Sequence, residues 1–314
     1  MKETNRKNKY SKYCTYIGEH EYQFEHVRPI FDKLGGRMAE IHGRHMVKGI
    51  LIFMTQPTME PNPAVFVRVY IGHGTSNKGL KMFWKSPGRY DYFMTTGPKM
   101  SAAFAMHNWG LVPGKNDIQV GPIKSDALVN GTFDRDKARK LMGAPDGKPI
   151  ALFAPTWNRS TVQNYTNLLA PLALDYHVVL KPHPNEKVTI AEETPWIHLY
   201  TGCIDEILYA ADLLLADESS TGYEFLPTGK PIVLLRNKLE GGFEDSPDYQ
   251  IKNSTANWKP YMGEKGLLLE KVKEAEQRTG ELQALCNRVF WPIDGHCAER
   301  ACDWMVEQIE RKWK

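Results

Sequence analysis

A few short segments hold the side chains best suited to chemistry. His73 stands between Gly72 and Gly74, with Thr75 next. Glycines let a ligand approach the backbone, and a histidine there can take a proton near neutral pH. His183 lies in Lys181-Pro182-His183-Pro184. Its two prolines fix φ on either side, so a stiff loop offers one fixed charge and one donor to a phosphate. Asp217-Glu218-Ser219-Ser220-Thr221-Gly222 places hydroxyls where an apolar run stops and a helix begins. Such a turn aims N–H groups and the positive end of a helix dipole at one point, and an anion fits there. Arg159 follows Thr156-Trp157-Asn158 and can grip a diphosphate bidentately. Glu224, one helical turn past Ser220, can accept from ribose hydroxyls. Lys78 and Lys81 can draw in an anionic acceptor. Each has a plainer reading beside the chemical one. His73 is then a turn histidine, His183 an exposed residue of a proline turn, and Ser219 an ordinary N-cap. Glu224 and the two lysines become solvated surface.

The elements that must position these residues alternate strand with helix. The predicted strands are 49–55, 64–71, 91–96 and 118–121, then 150–153, 176–180, 197–200, 213–216 and 232–235, with a last one at 267–269. Helices are predicted over 19–34, 99–109, 164–174, 204–211, from about 220 to Gly229, 270–289 and 297–313. HGT at 73–75, APTW at 154–157, KPHP at 181–184 and DESST at 217–221 all begin where an apolar strand ends. Two βα series imply two parallel, doubly wound sheets that bind ligands at the carboxyl ends of their strands. The expected fold is therefore α/β, with two Rossmann-like domains and a cleft between them. The polar stretch 126–148 marks the boundary.

Composition narrows the classes. A chain of 314 residues favours two domains. No run reaches the ~18 apolar residues of a membrane span. The basic, polar start MKETNRKNKYSKY has no apolar core and is not expected to be a signal peptide. Five scattered cysteines without CxxC spacing argue against a zinc site or disulfide framework and for a reducing cytoplasm. A net charge of +3 is too small to imply nucleic acid, but suits an anionic substrate or a weak membrane-surface contact. There is no GxGxxG, no GxxxxGK[ST] and no DxD pair, and no metal site is evident.

Taken in order, HGT at 73–75, GP at 97–98, APTW at 154–157, KPHP at 181–184, ADLLLADESS at 211–220, TGKPIV at 228–233 and DGHCAERACDWM at 294–305 resemble the CDP-glycerol glycerophosphotransferase family. This family contains teichoic-acid primases and polymerases and related capsule enzymes. The resemblance implies the GT-B fold. Residues 1–125 would form an acceptor-binding domain, with the helix 297–314 packing back on it, and residues 126–296 would bind the CDP donor. It also implies that an acceptor hydroxyl attacks the β-phosphorus of CDP-glycerol, or of another CDP-alditol, and that CMP leaves. By position, His73 would be the base and His183 would bind and neutralise the phosphate. Ser219, Ser220 and Thr221 would hold the diphosphate, with Arg159 and Lys181 on the phosphates and Glu224 on the ribose. Gly74, Thr75 and Lys78 would lie on the acceptor side. The acceptor would be a lipid-linked disaccharide, a growing polymer or a capsule glycan. The protein would be cytoplasmic, touching the anionic inner face of the membrane, and would need no cofactor. Two rivals remain: a GT-B glycosyltransferase using a nucleotide sugar, and a non-catalytic nucleotide- or glycan-binding protein of the same fold.

Overall fold

The structure is a computed structural model. It describes residues 10, 13–18, 21–34, 37–40, 49–53, 65–71, 90–106, 110–156, 162–186, 188, 194–217, 219–236 and 250–313. The chain divides into two compact units. The first joins Met1–Asn130 to Arg288–Lys314, and the second is Gly131–Asn287.

The first unit holds a parallel sheet of β1 (Cys14–Gly18), β2 (Arg37–Glu40), β3 (Gly49–Phe53), β4 (Val65–Tyr70), β5 (Tyr92–Thr95) and β6 (Asp117–Gln119). Its strand order is β2-β1-β3-β4-β5-β6. Around it lie α1 (Glu21–Leu34), α2 (Pro98–Met106) and the short α3 (Asp126–Val129). In the second unit, α4 (Arg135–Leu141) precedes β7 (Ile150–Ala154), and α5 (Val162–Tyr165) follows it. Next come β8 (His177–Leu180), β9 (Ile197–Leu199), β10 (Leu213–Ala216), α6 (Thr221–Phe225), β11 (Ile232–Leu235), β12 (Ala256–Trp258) and α7 (Leu268–Gln277). Two more helices close the described chain, α8 (Thr279–Val289) and α9 (Cys297–Trp313).

The second sheet runs β12-β11-β10-β7-β8-β9, again all parallel. Read from β9, this is the doubly wound order 3-2-1-4-5-6 of dinucleotide-binding sheets. The order reverses between β7 and β10, and ligands bind at the carboxyl side of that reversal. Leu213–Ala216 is buried at every residue, as is Ile232–Leu235. Strands covered on both faces read as unbroken apolar runs. Burying each leucine is worth about 1.5–3 kcal/mol.

Several elements differ from the sequence reading. Leu267–Leu269 is not a strand, because Leu268 opens α7 and is buried with Val272 and Ala275, a helical spacing. The predicted helix 270–289 breaks at Arg278 into α7 and α8. The stretch 204–211 forms two 3-10 turns, Ile204–Glu206 and Leu208–Ala210. Residues Thr166–Leu174, which contain Pro171, continue α5 as a 3-10 segment. Strands β1, β2 and β12 were not foreseen.

Packing moves 126–130 and 288–296 into the first unit. The reason lies in hydrogen bonds. The Asp126 carboxylate accepts the backbone N–H of Cys297 at 3.0 Å and of Ala298 at 2.8 Å, capping α9 from far away in sequence. Trp291 N–H donates to the Thr96 carbonyl at 3.0 Å. Gly97, the glycine of the GP pair, has φ +148°, and a Cβ there would lie 2.5 Å from Trp291 N. Only glycine lets 289–291 lie against this turn. Residues Cys297, Ala298, Ala301, Cys302, Met305, Val306 and Ile309 of α9 join the same core as Cys14, Tyr16, Val27 and Ile30.

Candidate functional site

Strands β8, β7 and β10 are neighbours, so the loops leaving their carboxyl ends emerge side by side, about 4.8 Å apart per strand. These loops are KPHP after β8, APTW after β7 and DESST after β10. Parallel pairing therefore gathers Lys181, His183 and 219–224 at one end of one sheet. His73, Gly74, Thr75, Lys78 and Arg159 lie outside the described residues.

Lys181 is buried, at 5% exposure, and its ammonium donates to the Pro182 carbonyl at 2.7 Å. Burial pushes its pKa below the ordinary lysine value, while Cys203 and Asp205 pull it back up. Its charge is thus turned into the loop that carries His183.

His183 is half-buried. Its Nδ1 accepts the backbone N–H of Asn185 at 3.1 Å, and its own carbonyl accepts the Glu186 N–H at 2.8 Å. A ring nitrogen that accepts carries no proton, so the proton of this imidazole sits on Nε2. The turn thus sets the tautomer of His183, with Nε2 as the ring's donor.

The loop after β10 folds back on itself. Ser219 N–H donates to the Asp217 carbonyl at 2.7 Å, and Thr221 N–H donates to the Ser219 hydroxyl at 3.2 Å. The hydroxyls of Ser219 and Thr221 lie 2.9 Å apart. Ser219, Ser220 and Thr221 are half-buried. The helix that follows is shorter than expected. After five α-helical residues it tightens into a 3-10 turn at Leu226–Thr228, which contains Pro227, and Gly229 ends it at φ +66°. An anion here would meet hydroxyls more than the summed dipole of a long helix. Glu224 is 7% exposed, which rules out a solvated helix surface.

The sequence reading gave no role to Asp217. It is 1% exposed, and its Oδ1 accepts the N–H of Thr156 at 2.7 Å. Its signal in the sequence is a carboxylate set directly against the apolar run LLLA, where an unpaired charge would be costly to bury. Among the described residues no group of three or more His, Cys, Asp or Glu could hold a metal ion, and no helix is long and apolar enough to cross a membrane.

With this geometry in place, relatives give it a context. The family model of CDP-glycerol:poly(glycerophosphate) glycerophosphotransferase matches residues 68–307, and the chain belongs to that family. The teichoic acid glycerol-phosphate primase of Bacillus spizizenii is 22% identical over 66% of this chain and 56% of its own length. The teichoic acid glycerol-phosphate primase of Bacillus subtilis is 26% identical over 51% of this chain and 43% of its own. The chain thus spans about half the length of the curated relatives it matches. A solved variant of the wall teichoic acid polymerase TagF superposes with a TM-score of 0.70 at 16% identity, over 99% of this chain and 93% of that one. A second TagF variant, soaked with CDPG, gives 0.68 at 14% identity, over 97% and 90%. At such identities the likeness speaks for the fold, the α/β, GT-B-like class expected from the sequence.

Proposed function

We propose that the protein transfers glycerol phosphate from CDP-glycerol to an acceptor hydroxyl during synthesis of a teichoic-acid or capsule-type polymer. One observation carries the reading. The family model runs through residues 68–307 and so spans every segment singled out for chemistry, from His73 to Glu224.

In the proposed reaction an acceptor oxygen attacks the β-phosphorus of the donor. The new O–P bond forms as the bond to the bridging oxygen breaks, and CMP leaves. His73 takes the proton from the acceptor hydroxyl, with Gly74, Thr75 and Lys78 on the acceptor side. His183 donates from Nε2 to a phosphoryl oxygen whose charge grows in the transition state. Ser219, Ser220 and Thr221 hold the diphosphate, Arg159 grips it, and Glu224 meets the ribose. Lys181 acts from behind the His183 loop, as a buried positive charge. Phosphoryl transfer asks for positioning and charge stabilisation more than covalent chemistry, and these groups can offer both without a resident cofactor. The donor places the reaction in the cytoplasm. A lipid-linked acceptor would bring the protein to the inner membrane face.

The test is release of CMP from CDP-glycerol by the purified chain, with lipid-linked and soluble glycan acceptors and with UDP-sugars as control donors. Acceptor-dependent CMP that disappears in His73→Ala is the expected result. UDP release from a UDP-sugar would transfer the assignment to a glycosyltransferase, and nucleotide binding without turnover on any acceptor would count against catalysis.

A further inference from the structure

We propose that Asp217 is a positioning residue of the donor site, clamping the loop after β7 to the loop after β10. The inference rests on the functional reading above, since it takes these loops as the donor site. The backbone ladder between β7 and β10 ends at the pair Ala154 and Ala216. The next residue on β7's side is Pro155, which has no N–H to give. Thr156 therefore offers the first donor beyond the ladder, and it points at Asp217, the first residue past β10, across 2.7 Å. The same residue's carbonyl accepts the Ser219 N–H. One buried residue thus ties its side chain to APTW and its backbone to the turn of Ser219-Ser220-Thr221. The clamp sits where the strand order reverses, the place at which doubly wound sheets bind their ligands. At 1% exposure the carboxylate itself is sealed from a ligand, so it works by holding others.

The molecule contains its own control. Asp212 lies at the opposite end of β10, and its Oδ2 accepts the N–H of Ile150, the first residue of β7, at 3.0 Å. The two aspartates flank β10; Asp217 accepts from the loop after β7, whereas Asp212 accepts from the start of β7, at the end away from the site, and also pairs with Arg135 at 2.7 Å and Lys230 at 3.3 Å. A merely structural role predicts that both substitutions lower the melting temperature and leave affinity unchanged.

The experiment compares Asp217→Ala, Asp217→Asn and Asp212→Ala in the full chain, reading CDP-glycerol affinity by calorimetry, melting temperature, and hydrogen exchange at Thr156. The expected result is at least a tenfold loss of affinity in Asp217→Ala, with faster exchange at Thr156. Asp217→Asn, whose amide oxygen still accepts the N–H, stays within threefold. Asp212→Ala melts earlier yet binds within twofold of the unsubstituted chain. The inference is overturned if folded Asp217→Ala binds normally, or if Asp212→Ala loses as much affinity. Should Asp217→Ala not fold, Asp217→Ser, too short to reach Thr156, takes its place under the same thresholds. If the unsubstituted chain binds no CDP-glycerol, the functional reading fails and the donor-site role of Asp217 falls with it. If the chain binds and exchange at Thr156 is unchanged in Asp217→Ala, the clamp alone is overturned and the functional reading stands.

Discussion

The imidazole of His183 is held by its own turn, with the proton on Nε2. A donor aimed at a developing phosphoryl charge is typically worth about 10²–10³ in rate. His183→Ala is therefore expected to lower kcat by that factor while CDP-glycerol binding changes less. A KM increase with kcat intact would assign it to ground-state binding instead. Thiols give a second residue-scale prediction. Cys14, Cys286, Cys297 and Cys302 are buried, and Cys203 is half-buried. Burial pushes the thiols of Cys14 and Cys286 up to about 12 and raises that of Cys297 further. A thiol so seldom ionised is a poor nucleophile. Ellman's reagent should thus titrate one thiol promptly in the native protein, and prompt reaction of several would refute the packing around them.

Elements act here through the groups that fasten their ends. The Asp126 carboxylate caps α9 with two hydrogen bonds, and Asp126→Ala should cost about 2 kcal/mol in urea unfolding of the first unit. Gly97→Ala combines a disallowed φ with a backbone clash and should cost on the order of 3 kcal/mol. At the far end of β10, Asp212 feels burial, which raises its pKa. The N–H of Ile150, Lys230 and Arg135 outweigh that and leave it below the ordinary 3.8. A carboxylate depressed on folding contributes stability above its unfolded pKa and loses it as pH falls through the folded value. Asp212→Asn should accordingly flatten the acid limb of the second unit's stability curve below about pH 4, and an unchanged limb would remove Asp212 from the account.

The same fastenings mark the limit of what the sequence discloses. Strands such as β10 were legible because burial on both faces writes an apolar run. Strand β2, RMAE, and β12, ANW, sit at sheet edges, where no such run is required. KPHP and DESST were legible as loops at strand ends. The bond from Thr156 to Asp217 was not, because it joins residues 61 apart and exists only once β7 and β10 are neighbours.

The whole molecule is two units of unequal continuity. The second is one stretch, Gly131–Asn287, while the first is closed only by Arg288–Lys314. Seven side chains of α9 lie in the first unit's core, and at about 1.5–3 kcal/mol for each larger one their sum rivals the 5–15 kcal/mol by which domains are stable. A chain stopped after His296 should therefore yield to protease over 1–130 and leave a resistant fragment near 131–287, identified by mass. Survival of both halves would show the helix to be dispensable. The division also sets a timetable for synthesis. A ribosome makes the first unit's sheet early but delivers α9 only after all of 131–287 has emerged, so the usual rule that the N-terminal part finishes first is inverted. During that interval the first sheet waits with the apolar face meant for α9 uncovered, which makes this half of the nascent chain the natural client of a holding chaperone.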